Sequence, residues 1–368
     1  MRRKRNRFKA RLDLPKAAKV PTVSAGVTEV EPEITAIAAW FRKKDPTGEV
    51  TAEVIRDSFD LALDGQRTGR WCYGQLTKTE KTHLGTILQL ELQKEYDISD
   101  DGPLDYAVAG IPVDCKYSAE FGKWQIPREM YRPTENPTDE DVNHIALLVW
   151  AEEASRAWWT GLIRITDDRL SPGRNRDMKR TLRPEALADV HWIWPQPPLL
   201  PKNTLLELSD EDRIAIFSHR SGQKRINELL RRVQLTTIRR SVIETVAQQE
   251  DPLKRPRDAR EQLRPDGILV FGHEKAHRQV AHALGIDRLP TVDYLPDKGE
   301  FLTARVVPAD PGTERPVAVI EGRSWVLAEP TEPHSKGPKL PPSGAKNITG
   351  QASSAATLTD DPPEGEGR

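Results

Sequence analysis

The chain is poor in cysteine: 368 residues hold two, Cys72 and Cys115. Two thiols rule out a disulfide framework and a cysteine-rich zinc site, and they fit a reducing, cytoplasmic setting. Long apolar runs are also missing. The longest, residues 145–151 (IALLVWA), falls far short of the roughly 20 residues a membrane helix needs. No apolar stretch follows the basic N-terminus, so neither a secretory leader nor a membrane partner is expected. Nor does one sign of charge dominate. There are 55 Lys and Arg against 56 Asp and Glu, a formal net charge of -1. A neutral total can hide charged segments, so the balance has to be read locally.

Read locally, the ends differ from the middle. Residues 1–19 carry nine Lys or Arg and one Asp with no helical apolar stripe. Residues 1–29 are expected to form a disordered basic arm, either simply solvated or drawn to phosphate. Residues 333–368 are rich in Pro, Gly, Ser and Thr and are expected to be a disordered tail, lacking apolar surface to offset ordering entropy. Between them, residues 192–202 (WIWPQPPLLPK) contain four prolines. Proline fixes φ and removes donors, which predicts an extended linker at 193–202 between domains at 30–192 and 203–332.

Hydrophobic periodicity places the elements. Leu84, Ile87, Leu88 and Leu92 make one stripe of a helix over 75–96. Residues 105–109 and 113–117 flank Gly110 as short strands, and 145–150 and 159–165 read as buried strands. In the second half, residues 223–233 and 237–249 read as helices. A basic loop, a turn at 264–267 and strands at 268–271, 302–307, 317–321 and 324–327 follow. Helices, a strand and then a hairpin match a winged helix-turn-helix. The fold class is α/β in the broad sense, mixed α+β.

The chemistry concentrates at residues 103–116 (PLDYAVAGIPVDCK). A two-residue loop with Gly110 at its first central position pairs Ala109 with Pro112, Ala107 with Asp114 and Asp105 with Lys116. Opposed residues share a face, as do residues i and i+2, so Asp105, Asp114 and Lys116 project together. Cys115 then points the other way, into the core. Two converging carboxylates repel one another, and a divalent cation relieves that repulsion. Mg²⁺ takes oxygen ligands and keeps several waters. The lysine can orient an attacking water and steady charge developing on a phosphate. Alone the triplet is a weak motif, because a cross-strand Asp–Lys pair produces the same pattern. His83, His144 and His219 have no ligand spacing. Residues 62–67 (ALDGQR) imitate the ligase pattern Lys-x-Asp-Gly-x-Arg, but Ala62 stands where an adenylated lysine is required, which rejects ligase chemistry.

With residues 64–71 (DGQRTGRW), 78–86 (KTEKTHLGT), 113–116 (VDCK), 246–249 (VAQQ) and 304–310 (ARVVPAD) in this order, the chain resembles the NaeI-type restriction endonucleases of the PD-(D/E)xK superfamily. The resemblance covers about residues 45–328. It implies a PD-(D/E)xK cleavage domain followed by a CAP-like winged helix that binds a second DNA site as activator, in a homodimer. It also implies Asp105 and Asp114 as Mg²⁺ ligands, Lys116 as the catalytic lysine, the palindrome GCCGGC and a cognate DNA methyltransferase as genetic partner. The family has a glutamate on the helix before the hairpin where this chain has Gln89; Glu91 or Glu95 is the alternative. Residues 131–143 (YRPTENPTDEDVN) read as an acidic insertion relative to the family.

Candidate DNA contacts follow from charge. Residues 220–264 hold twelve Lys or Arg and six Asp or Glu. Arginine can grip guanine bidentately and lysine can hold phosphate. Lys224, Arg225, Arg231, Arg232, Arg239 and Arg240 are the candidates there, with Arg67 and Arg70 in the first half. Two further readings stay open: a sequence-specific DNA-binding protein with weakened or lost cleavage, motivated by Gln89, and a nicking or repair nuclease without sequence preference.

Overall fold

The computed structural model describes residues 31–100, 103–131, 143–173 and 175–342, together with Pro21. The basic arm, most of the acidic insertion and the tail beyond Pro342 lie outside the described residues. The chain divides into two compact units. One is the chain up to Phe217 with Glu244–Gln249; the other is Ser218–Ile243 with the chain from Glu250 onward. The division therefore falls after Phe217, not within 193–202. The reason is local: Ile193, Trp194 and Leu200, set among the prolines, are 0%, 5% and 1% exposed and belong to the first unit's core. Trp158 Nε1 donates to Pro198 O at 2.6 Å, and Leu200 N donates to Arg156 O at 2.8 Å. The prolines stiffen a docked segment rather than a free linker.

The first unit opens with helices α1 (Pro32–Lys44), α2 (Glu49–Leu63), α3 (Gly65–Thr68) and α4 (Lys78–Tyr96). Helix α4 begins on a capping box: Thr77 N donates to Glu80 Oε2 at 2.8 Å, and Thr77 Oγ1 accepts from Glu80 N at 3.4 Å. Of its predicted stripe, Leu84, Leu88 and Leu92 are buried and Ile87 is half-buried. A five-stranded sheet follows, in the order β1 (Tyr106–Val108), β2 (Ile111–Ser118), β3 (Ile145–Glu152), β4 (Ala157–Arg164), β5 (His191–Trp192). Strands β2 and β3 run parallel; the other pairs are antiparallel. One face carries Tyr106, Val113, Cys115, Leu147 and Val149, packed with the apolar residues of α1, α2 and α4. The other carries Ala146 and Leu148 under Trp124, Trp150 and Trp192. Covered on both sides, β3 reads as one apolar run rather than an alternation. Buried Arg56 ties the layers, donating to Asp60 at 2.7 Å and Glu153 at 2.8 Å. Short α5 (Thr204–Glu207) and α6 (Asp210–Ser218) come next in the chain.

The second unit contains α7 (Gly222–Arg232), α8 (Arg240–Ala247, whose last residues count with the first unit), α9 (Lys254–Gln262) and α10 (Lys275–Ala283). Its antiparallel sheet has the order β6 (Ile268–Phe271), β7 (Leu302–Pro308), β9 (Arg323–Leu327), β8 (Ala318–Ile320). The expected strands are all present. Two helices were not expected. Helix α9 occupies the supposed basic loop, with Pro256 in its first turn, where a missing N–H costs nothing. Helix α10 packs Ala276, His277, Val280 and Ala281 inward.

Residues 333–342, expected within a disordered tail, are instead a docked strap. Gly337 N donates to Arg264 O at 2.8 Å, and Arg264 Nε returns a bond to Gly337 O at 3.2 Å. Lys339 N donates to Glu321 Oε2 at 3.1 Å, and Leu340 packs on the core. The strap covers a cavity of about 330 Å³ bordered by Arg260, Arg264 and His277. Gly267 sits in the left-handed region at φ 75°, where a Cβ would come within 2.7 Å of Ser335 O.

Candidate active site

The hairpin sets the geometry. Its observed partners are Tyr106 with Val113, Ala107 with Pro112 and Val108 with Ile111. The two loop residues are therefore Ala109 and Gly110, both left-handed at φ 52° and 78°. That is the conformation of a type I′ turn, not the II′ turn expected over Gly110 and Ile111. The register is displaced by two residues, and a displacement of two leaves every side chain on its face. Asp105, just before β1, comes opposite Asp114 instead of Lys116, and all three still project from one side.

They meet there. Lys116 Nζ contacts Asp114 Oδ2 directly, lies 4.0 Å from Asp105 Oδ2 and donates to Cys115 O at 3.4 Å. The ammonium thus stands among three oxygens. Asp105 is held in place by the backbone, its Oδ2 accepting from Cys115 N at 2.9 Å. Asp114 is 8% exposed. Burial pushes its carboxyl up to about 6, with the Asp105 carboxylate adding to the rise and Lys116 opposing it. Cys115 points into the opposite core as expected, and burial raises its thiol to about 12. It is a packing residue.

The neighbours of the triplet are not those the sequence suggested. Glu91 pairs with Lys94 at 3.6 Å. Gln89 lies on α4, whose buried stripe packs on the face opposite Asp114, and its carbonyl accepts from Tyr106 Oη at 2.7 Å. Among the described residues no three His, Cys, Asp or Glu side chains gather as a cation cage. Tyr106 was not singled out from the sequence. The alternation that puts Asp105 outward puts Tyr106 inward beside Cys115, which is the signal that could have found it.

The candidate DNA contacts also sort themselves. Arg67 is 84% exposed, with Asp64 3.5 Å away. Arg70 is committed internally, donating to Glu80 at 2.6 Å and Leu63 O at 3.3 Å. Lys224 is exposed. Arg225 is buried and donates to the carbonyls of His219 and Arg220 at 3.1 Å each, so it closes a turn and is not a surface contact. Arg231 pairs with Asp266 at 2.9 Å and Arg232 with Glu228 at 2.8 Å. Arg239 and Arg240 stand at the start of α8, half-buried and exposed respectively. The sequence reading passed over α10. Its outer face presents Lys275, Arg278, Gln279 and His282 along an open groove of about 470 Å³.

The comparisons with known proteins decide the lineage. The family model described as restriction endonuclease NaeI matches residues 35–336. The type II restriction enzyme NaeI of Lentzea aerocolonigenes is 41% identical over 327 residues, covering 86% of this chain and 97% of that protein. The chain belongs to the NaeI restriction endonuclease family. All five passages that carried the resemblance fall inside the NaeI match, and within the first unit two of them meet. Gln66 Nε2 donates to Gln249 O at 2.6 Å, and a Cβ on Gly65 would stand 1.9 Å from Thr245 Oγ1. The NaeI match ends at residue 336, within the strap.

Proposed function

We propose that the chain is a type II restriction endonuclease that hydrolyses phosphodiester bonds of double-stranded DNA, with Asp105, Asp114 and Lys116 as its catalytic group. The observation that carries this is their convergence at one sheet edge in a chain of the NaeI family. The residues fit Mg²⁺. The donors are all oxygen, namely two carboxylates and the Cys115 carbonyl, and Mg²⁺ is commonly held by one or two carboxylates and waters. Burial is the main cause of the raised Asp114 carboxyl, and a bound cation would favour its charged form. Bound there, Mg²⁺ would supply Lewis-acid stabilisation of the phosphoryl oxygens.

The protein's own groups do the rest. Cys115 N–H fixes the Asp105 carboxylate, and Lys116 Nζ orients the attacking water and steadies the negative charge that builds on the phosphate. The hairpin, the parallel strand β3 and helix α4 support a PD-(D/E)xK reading of the first unit. The β7–β9–β8 sheet with its helices supports a CAP-like winged helix in the second. Duplex contact fits exposed Arg67, Lys224, Arg240 and the α10 face better than Arg70 or Arg225, which are used internally. The family further supports GCCGGC as target, a second DNA site as activator, a homodimer and a protecting methyltransferase. A weakened enzyme is the second reading, favoured by Gln89, whose side chain brings no charge to the pair.

Plasmid DNA incubated with protein and Mg²⁺ should yield discrete fragments. Asp114→Ala and Lys116→Ala should each slow cutting by about 10³-fold or more. If either cuts like the wild type, the site assignment fails. If the wild type binds DNA without cutting and Gln89→Glu restores scission, the weakened reading prevails.

A further inference from the structure

Tyr106 is completely buried, beside Asp105 in the sequence and on the opposite face of the sheet. Its strand, β1, spans three residues at the sheet edge. Beyond the ladder to β2, it is held by one isolated bridge, Ala107 N donating to Ser99 O at 2.8 Å. So short an edge strand is a weak platform for a carboxylate that must meet Asp114 and Lys116. The Tyr106 hydroxyl supplies the missing brace. It donates to the backbone carbonyl of Gln89 on α4 at 2.7 Å. One phenol therefore joins α4 and β1 behind the site.

We infer that Tyr106 is a positioning residue for cleavage: its hydroxyl locks β1 to α4 and so fixes Asp105 at the distance the metal-binding pair requires. The inference rests on the endonuclease reading above. The ring and the hydroxyl have separable roles. The ring fills the core with Val113 and Cys115; the hydroxyl sets where the strand lies. Removing the hydroxyl alone leaves packing nearly intact and lets the strand end drift, and a misplacement of about 1 Å is enough to cost a rate up to about a hundredfold.

The test is Tyr106→Phe in the full chain, measured beside Asp114→Asn. Four quantities are read: the single-turnover cleavage rate, Mg²⁺ affinity by calorimetry on DNA-free protein, DNA affinity, and the thermal midpoint. The expected result is a rate lowered about five- to twentyfold and Mg²⁺ affinity weakened about fivefold, with DNA affinity and thermal midpoint close to wild type. A rate and a Mg²⁺ affinity both within twofold of wild type overturn the inference. So does a rate loss accompanied by an equivalent collapse of the midpoint, which would make Tyr106 a stability residue only. Asp114→Asn separates the two levels. If it cuts normally the endonuclease site itself is wrong. If it is inactive while Tyr106→Phe is normal, only the brace is wrong.

Discussion

At the scale of single residues, the site depends on a turn that one side chain fits poorly. Ala109 occupies the left-handed region at φ 52°, where a Cβ crowds the backbone and where Asn or Gly is favoured. Replacing it with Asn, to give the Asn-Gly pair typical of type I′ turns, should stabilise the first unit by about 0.5–1 kcal/mol in denaturant titration. A loss of stability would mean the turn is not of this type. The alternation rule survived a wrong turn for a physical reason. A two-residue displacement preserves faces, whereas a one-residue displacement would have sent Asp105 into the core. Asp105, Asp114, Lys116 and Cys115 were therefore legible from spacing alone. The ionic commitments of Arg70 and Arg225 were not, because a sequence shows charge but not which partner lies within reach.

At the scale of elements, the apolar stripes of α4 and the buried run of β3 were read correctly because burial there is strong and periodic. Helices α9 and α10 were missed because basic residues cover their outer faces and short stripes carry little signal. Helix α10 carries a titratable group that can be checked. His277 is 3% exposed. Its Nδ1 accepts from Gly272 N at 3.1 Å, and Glu274 Oε2 stands 2.9 Å from the same atom, opposing the shift. Burial, and then the charge of Arg260, lower it from 6.5 to about 4. The unfolded chain takes up a proton near 6.5 while the folded chain resists until about 4. This contribution is thus complete above 6.5 and is lost as pH falls through that window, up to about 3 kcal/mol in all. His277→Gln should flatten the dependence of the second unit's unfolding between pH 7 and 4. An unchanged slope would show that His277 is not its source.

At the scale of the whole molecule, the strap holds the last described residues onto the second unit. Truncation after Pro342 keeps every strap contact and serves as the reference. Truncation after Glu332 removes the paired bonds at Gly337, the Lys339 bond to Glu321 and the Leu340 contact, and should destabilise it by about 2–3 kcal/mol. Equal melting of the two truncations would mean that the strap carries no stability. Proline, glycine and serine richness pointed to disorder because composition averages over a segment. The docking of a few residues rests on a single leucine and a handful of backbone bonds, which composition does not register. The proline-rich stretch misled for the same reason, its Ile193, Trp194 and Leu200 outweighing the prolines among them.

The discontinuity of the first unit has a consequence for how the protein is born. Residues 244–249 belong to it, yet they leave the ribosome after helix α7 of the other unit. The partner that Gln66 needs at Gln249 arrives some 180 residues late. The nascent first unit must wait, its Gln66 without this partner, until translation has run well into the next unit.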